Sequence, residues 1–131
     1  MRPTGCLEPP PSGLLAGIEE FNTGAFYECH ETLEDLWMAE ARPLRSLYQG
    51  ILQIGVAFYH LRAERHRGAE VLLKRGMGHL RPFAPHCLGV DVAALLERAA
   101  GCLVEVQRLG PDRLREFDWS LIPVIDVQSS L

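Results

Sequence analysis

Hydrophobic residues recur at spacings of three and four along most of the chain, the spacing that brings side chains to one face of an α-helix. Proline and glycine mark where this pattern breaks. Pro43 fits a first helical turn, Pro82 and Pro85 end one helix, and Gly110 with the proline after it ends another. The predicted helices span residues 14–21, 25–41, 43–65 and 69–80, and a fifth runs from an N-cap at Asp91 to Gly110.

Every long periodic segment favours helix, so the predicted fold class is all-α, a single compact bundle of about five helices. The third helix is apolar over most of its circumference and is expected at the centre. The segment that follows the fifth helix is too apolar to be solvated and should pack back on the bundle. The predicted organisation is a flexible, proline-rich N-terminal arm at 1–13, a helical domain at 14–123 and a C-terminal tail at 124–131.

The 131 residues correspond to one domain, and the formal net charge of −4 argues against a dedicated nucleic-acid binder. The charge is uneven: residues 1–40 hold eight acids and one base, whereas residues 62–81 hold six bases and two acids. The basic stretch lacks the interleaved aromatic residues that stack on single-stranded bases. The two stretches could pair within one molecule or across a symmetric dimer, and we expect a homo-oligomer.

The four cysteines form no CxxC pair, and Cys29 and Cys102 fall in apolar helical patterns where free thiols act as small hydrophobes. A reduced cytosol is therefore the expected compartment. Residues 1–13 contain no apolar core of the kind a signal peptide needs. The most apolar stretch, 47–61, is interrupted by polar residues and is shorter than the roughly 20 residues of a membrane span, so none is expected.

The second helix carries the most informative polar pattern. A helical wheel places Glu34 on the predicted buried half, among Tyr27, His30 and Trp37. An ionised carboxylate in the interior costs several kcal/mol, so Glu34 should be paired, hydrogen-bonded, metal-bound or protonated. His30 stands one turn away on the same face, which allows either a direct hydrogen bond or joint capture of a metal ion.

On the third helix, Gln49, Gln53 and His60 align in a narrow polar stripe, which is either a solvent-facing edge or a seam against another polar helix face. If the seam meets the second helix, His30, Glu34 and His60 would form a three-ligand site for a divalent metal. The residues Tyr27, Gln49 and Gln53 would then support those ligands from outside.

The segment 21–37, FNTGAFYECHETLEDLW, resembles the signature of domain of unknown function family 309. The resemblance implies a small all-helical protein of bacteria and archaea. It also implies a His-xxx-Glu-xx-Trp/Tyr motif suspected of metal binding, with no assigned reaction. Here that motif is His30, Glu34 and Trp37. Similar stretches at 47–50, 58–61 and 89–91 extend the resemblance over most of 14–123.

Two functions from different classes stay open. In the first, the pocket near the second and third helices holds a divalent metal, and metal-assisted hydrolysis would be the default reaction class if the protein is an enzyme. In the second, the protein is a non-catalytic interaction or scaffold module in which His30 and Glu34 form a buried structural pair. Binding of an organic ligand without a metal would leave the same traces in the sequence.

Overall fold

A computed structural model describes residues 3–128 and confirms the all-α class. The helices follow one another so that each packs on the next. The observed bounds lie within a few residues of the predicted ones. They are α1 (Ser12–Asn22), α2 (Phe26–Ala39), α3 (Arg45–Arg62), α4 (His66–Leu80) and α5 (Val92–Leu109).

A small two-stranded hairpin lies between α4 and α5. Strands β1 (His86–Cys87) and β2 (Val90–Asp91) pair antiparallel with Cys87 opposite Val90. The two loop residues, Leu88 and Gly89, have φ values of +50° and +77°. Two consecutive residues with positive φ allow the tight turn that joins twisted strands, and glycine at the second position lowers its cost.

Helix ends follow the predicted signals in part. Asp91 caps α5 as predicted, because its Oδ1 accepts a hydrogen bond of 3.0 Å from the backbone N–H of Ala94. Thr23, which lies just before α2, does not cap that helix. The hydroxyl of Thr23 donates instead to the carbonyl oxygen of Glu20 at the end of α1, and Ala25 occupies the N-cap position of α2.

The helix α3 lies at the centre, as predicted, with nine of its residues buried. It contacts α4 most closely where Gly50 meets Gly76. A Cβ atom added at Gly76 would stand 2.9 Å from the carbonyl oxygen of Gly50 and 2.6 Å from Cγ1 of Ile54. Only glycine allows this approach, so the two helices are matched at this crossing. No helix formed by residues 3–128 is long and apolar enough to cross a membrane.

The segment after α5 packs back on the bundle, as predicted. Phe117 and Ile125 are buried, and Asn22 at the end of α1 holds the backbone of Ile125 with two hydrogen bonds. The side-chain amide of Asn22 donates to the Ile125 carbonyl at 3.0 Å, and its oxygen accepts from the Ile125 N–H at 2.8 Å. This clamp fixes the path of the C-terminal segment past the α1–α2 turn.

The N-terminal segment is attached to the hairpin by a disulfide between Cys6 and Cys87. The backbone N–H of Leu88 also donates to the Cys6 carbonyl oxygen at 2.7 Å. The sequence, which indicated a flexible arm at 1–13 and a reduced cytosol, does not predict this bond, because the two cysteines lie 81 residues apart. Cys29 and Cys102 are free and buried, as their helical positions indicated.

Candidate functional site

The motif lies on the outer side of α2, and its predicted burial is wrong. Phe26, Cys29 and Leu33 point inward, on the side of α2 that packs on α1 and α3. The opposite half of the helix stays open to solvent. The side chain of His30 is 35% exposed and that of Glu34 is 51% exposed, so neither forms the buried pair that the helical wheel suggested.

His30 and Glu34 do meet, as their spacing predicted. The Nε2 atom of His30 lies 3.4 Å from Oε2 of Glu34 across one helical turn. An ion pair this exposed contributes between zero and about 1 kcal/mol to folding. The pair is therefore close enough to act as a unit, but the fold does not depend on it.

An aromatic cluster extends the motif onto α3. The ring of Tyr27 lies 6.4 Å from that of His30 and 6.3 Å from that of Tyr59, measured between centroids. Tyr27 is 56% exposed and Tyr59 is 40% exposed. Tyr59 was not among the predicted site residues, although its position one residue before His60 on the helix placed it beside the polar stripe.

Trp37, the third motif residue, is half-buried and carries a cation on its face. The guanidinium carbon of Arg45, in the first turn of α3, lies 4.0 Å from the centroid of the Trp37 ring. A guanidinium stacked at this distance is attracted by the ring's electron-rich face. The contact links the end of α2 to the start of α3. We name the outer side chains of these two helices, Tyr27, His30, Glu34, Trp37 and Tyr59, the motif face.

The polar stripe of α3 is half-buried along its length, and His60 turns toward α4. A Cβ atom added at Gly68 of α4 would stand 2.8 Å from Cγ of His60, so the imidazole fills the space that this glycine leaves. Burial lowers the pKa of His60 below its usual value, and the nearby positive charge of Arg65 lowers it further. Within residues 3–128, no hydrogen-bond partner reaches the buried His60 Nδ1 or Gln53 Oε1.

The structure therefore brings together part of the predicted metal set. His30 and Glu34 are neighbours, whereas His60 lies against α4, and Gln49 and Gln53 occupy the same stripe. In residues 3–128, no group of three or more His, Cys, Asp or Glu side chains is arranged to hold a metal ion. The three-ligand site stays a prediction, with two of its ligands in contact.

The two free thiols, those of Cys29 and Cys102, are buried in the core. Burial, with a smaller effect from the negative charge of Glu20, raises the pKa of Cys29 to about 12. Burial likewise raises the pKa of Cys102 to about 11. A thiol becomes reactive as the thiolate, so these values keep both side chains inert at neutral pH.

The fold and the exposed motif define the class: a small all-helical domain whose distinguishing side chains lie on one open helical face. Residues 14–72 match the family described as Domain of unknown function (DUF309), and the resemblance noted in the sequence is thereby confirmed. These residues contain most of α1, all of α2 and α3 and the first half of α4, and so include the whole motif face. The similarity to this family is shown over residues 14–72.

The chain is also similar to the Uncharacterized protein YpuF of Bacillus subtilis (strain 168). The two are 34% identical over 91 residues, which is 66% of this chain and 52% of that relative. The chain thus spans about half the length of the curated relative it matches. Neither the family description nor the relative's name assigns a reaction.

Proposed function

We propose that this domain is a non-catalytic interaction module whose motif face pairs with a second copy of the chain. The observation that carries the proposal is the pair of exposed tyrosines, Tyr27 and Tyr59, in ring contact beside His30 and Glu34. Folding alone does not require large aromatic side chains on an open helical surface. Tyrosine is enriched in protein interfaces, where its ring supplies contact area and its hydroxyl a hydrogen bond.

The charge of the flanking helices supports a second copy as the occupant. On one side of the motif face, α2 exposes the carboxylates of Glu28, Glu31, Glu34 and Asp35. On the other side of α3, α4 exposes a set of basic side chains, which are Arg67, Lys74 and Arg75. Each molecule therefore carries both halves of a complementary pair, which steers association and fixes its orientation.

The order of the helices favours one geometry for the proposed dimer. Because α2 and α4 both pack on α3, a two-fold axis parallel to α3 places α2 of one molecule over α4 of the other. A two-fold axis perpendicular to α3 would instead place α2 over α2 and bring like charges together. The half-exposed Leu52 and Val56 of α3 would lie near the axis in the favoured arrangement.

A charge-reversal cycle tests this pairing. We expect sedimentation equilibrium at low salt to give a dimer for the wild type, and Glu34→Lys and Arg75→Glu each to weaken the dimer. The double variant should recover much of the lost affinity, since the reversed charges attract again. Glu97→Lys is the matched control, because Glu97 is an exposed acid on α5, away from the motif face.

Two results would overturn the proposal. If the wild type is monomeric at every concentration in low salt, the motif face does not bind a second copy of the chain. A double variant that dimerises no better than the weaker single variant would show that α2 does not face α4 of a partner.

A second candidate function is capture of a divalent metal ion by His30 and Glu34. The specific observation in its favour is the 3.4 Å separation of the two side chains on an accessible surface. An imidazole nitrogen and a carboxylate oxygen one turn apart are ligands that zinc accepts, and further ligands would have to come from water or from another molecule. Metal analysis of untagged wild type and Glu34→Gln tests this. Stoichiometric metal that is absent from the variant would support it, and no metal in either protein after reconstitution would contradict it.

A further inference from the structure

An open groove of about 500 Å³ lies beside the α1–α2 turn, and neither His30 nor Glu34 is part of its lining. It is bounded by the α1–α2 turn, by the last turn of α3 and by residues 119–124. Its walls are mostly apolar, with Phe21 and Phe26 forming the floor and Trp119 and Val124 the rim. Small-molecule sites commonly have volumes of about 300–1,000 Å³ and this mixture of apolar lining with few polar groups.

One cation, Arg62, stands in this lining. Its guanidinium donates a 2.8 Å hydrogen bond to the carbonyl oxygen of Gly24 and lies 5.0 Å over the ring of Phe26. No carboxylate of residues 3–128 forms an ion pair with it, whereas Arg42, Arg108 and Arg113 each form at least one. A guanidinium has five N–H donors, so Arg62 is held in place and can still bind an anion.

The other polar side chains of the groove are engaged elsewhere. Both polar atoms of the Asn22 amide are used by the backbone of Ile125, and the Thr23 hydroxyl donates to Glu20. A peptide backbone laid in the groove would bring several N–H and C=O groups that need partners. A ligand that is apolar along its length and anionic at one end fits this lining better.

The geometry points to a binding site for a free alkyl carboxylate, with its chain on Phe26 and Trp119 and its head on the guanidinium of Arg62. Trp119 is 44% exposed, so an alkyl chain that covers its indole should change its fluorescence. The protein has two tryptophans, and the substitution Trp37→Phe leaves Trp119 as the single fluorescent reporter. This site does not involve the motif face and does not depend on the proposed self-association.

The experiment compares decanoate with 1-decanol, which has a chain of equal length and no charge, below the concentrations at which either aggregates. In the Trp37→Phe background we expect saturable binding of decanoate. Adding Arg62→Gln should weaken the binding of decanoate by about tenfold or more, because a charge-assisted hydrogen bond is lost. The affinity for 1-decanol should not change. Arg65→Gln, an exposed arginine outside the groove lining, is the matched control and should bind decanoate like the parent.

A second variant closes the groove from another element. Val124→Phe places a larger side chain at the rim and leaves the charge of Arg62 in place, and we expect it to weaken the binding of decanoate and of 1-decanol alike. Thermal melting of each variant shows whether it is folded. The affinity for an N-acetylated trileucine with a free C-terminal carboxylate is also measured, so that a peptide can be compared with decanoate.

Three results would overturn the inference. The first is the absence of a saturable change in Trp119 fluorescence with decanoate. The second is equal affinity for decanoate with and without Arg62→Gln. The third is tighter binding of the peptide than of decanoate, which would identify the groove as a site for a peptide C-terminus.

Discussion

The two neighbours of α3 contact it in different ways. The helix α4 approaches until the backbones meet at Gly50 and Gly76, where no Cβ fits. The helix α2 packs through Leu33 and its buried neighbours, and it leaves Tyr27 and Glu34 open to solvent. The first contact is a close crossing of two backbones that admits no residue larger than glycine. The second contact carries, on its outer side, side chains that the fold does not need, and these are free to bind something else.

The largest expected effect is the difference in stability between two substitutions at adjacent positions, one on the buried side of α2 and one on its exposed side. Leu33 is fully buried against Gly17, so Leu33→Ala should lower the free energy of unfolding by roughly 2–5 kcal/mol. Glu34→Ala, on the outer side, should change it by no more than about 0.5 kcal/mol. Urea denaturation of both variants measures the difference. If Glu34→Ala lowered the free energy of unfolding by several kcal/mol, the motif would have a structural role.

The next effect tests the α3–α4 crossing. Gly76→Ala forces a Cβ against the backbone of α3, and overpacking of this kind should cost about 1–3 kcal/mol. Gly101→Ala in α5 is the control, since no atom lies within 4 Å of its added Cβ. The control should be stabilised by about 0.5–1 kcal/mol through helix propensity. Equal stability of the two variants in thermal melts would show that the helices do not cross so closely.

A smaller effect should appear in the pH dependence at His60, on the border with α4. Because the pKa of His60 is lowered in the folded protein, protons bind more readily to the unfolded chain. His60 therefore favours the folded state above the usual histidine pKa of about 6.5, and this contribution is lost as the pH falls through the folded-state pKa. We expect melting temperatures of His60→Gln to fall less between pH 7.5 and pH 5 than those of the wild type. A steeper fall in the variant would contradict the burial of this imidazole.

The elements that depend on local pattern could be predicted from the sequence. The apolar circumference of α3 indicated its central place, and Asp91 before an apolar period indicated the start of α5. The apolar residues after α5, Phe117 among them, indicated that the chain returns to the bundle. Each of these signals is carried by residues close together in the chain.

The features that depend on distant partners could not be predicted. A helical wheel gives the direction of an apolar face but not the width of the arc that neighbouring helices cover, which is why Glu34 was placed inside. The Cys6–Cys87 bond joins segments 81 residues apart, and no local pattern indicates such a pair. For Arg62, a signal was present, since none of the residues three or four positions away is acidic.

The central claim is that the motif face serves association and not folding. It is tested most directly by sedimentation equilibrium of wild type and of the Tyr27→Ala/Tyr59→Ala double variant at low salt. We predict a dimeric wild type and a folded, monomeric double variant, because the aromatic contact area is lost while the core is untouched. A double variant that is still dimeric under the same conditions would contradict the claim.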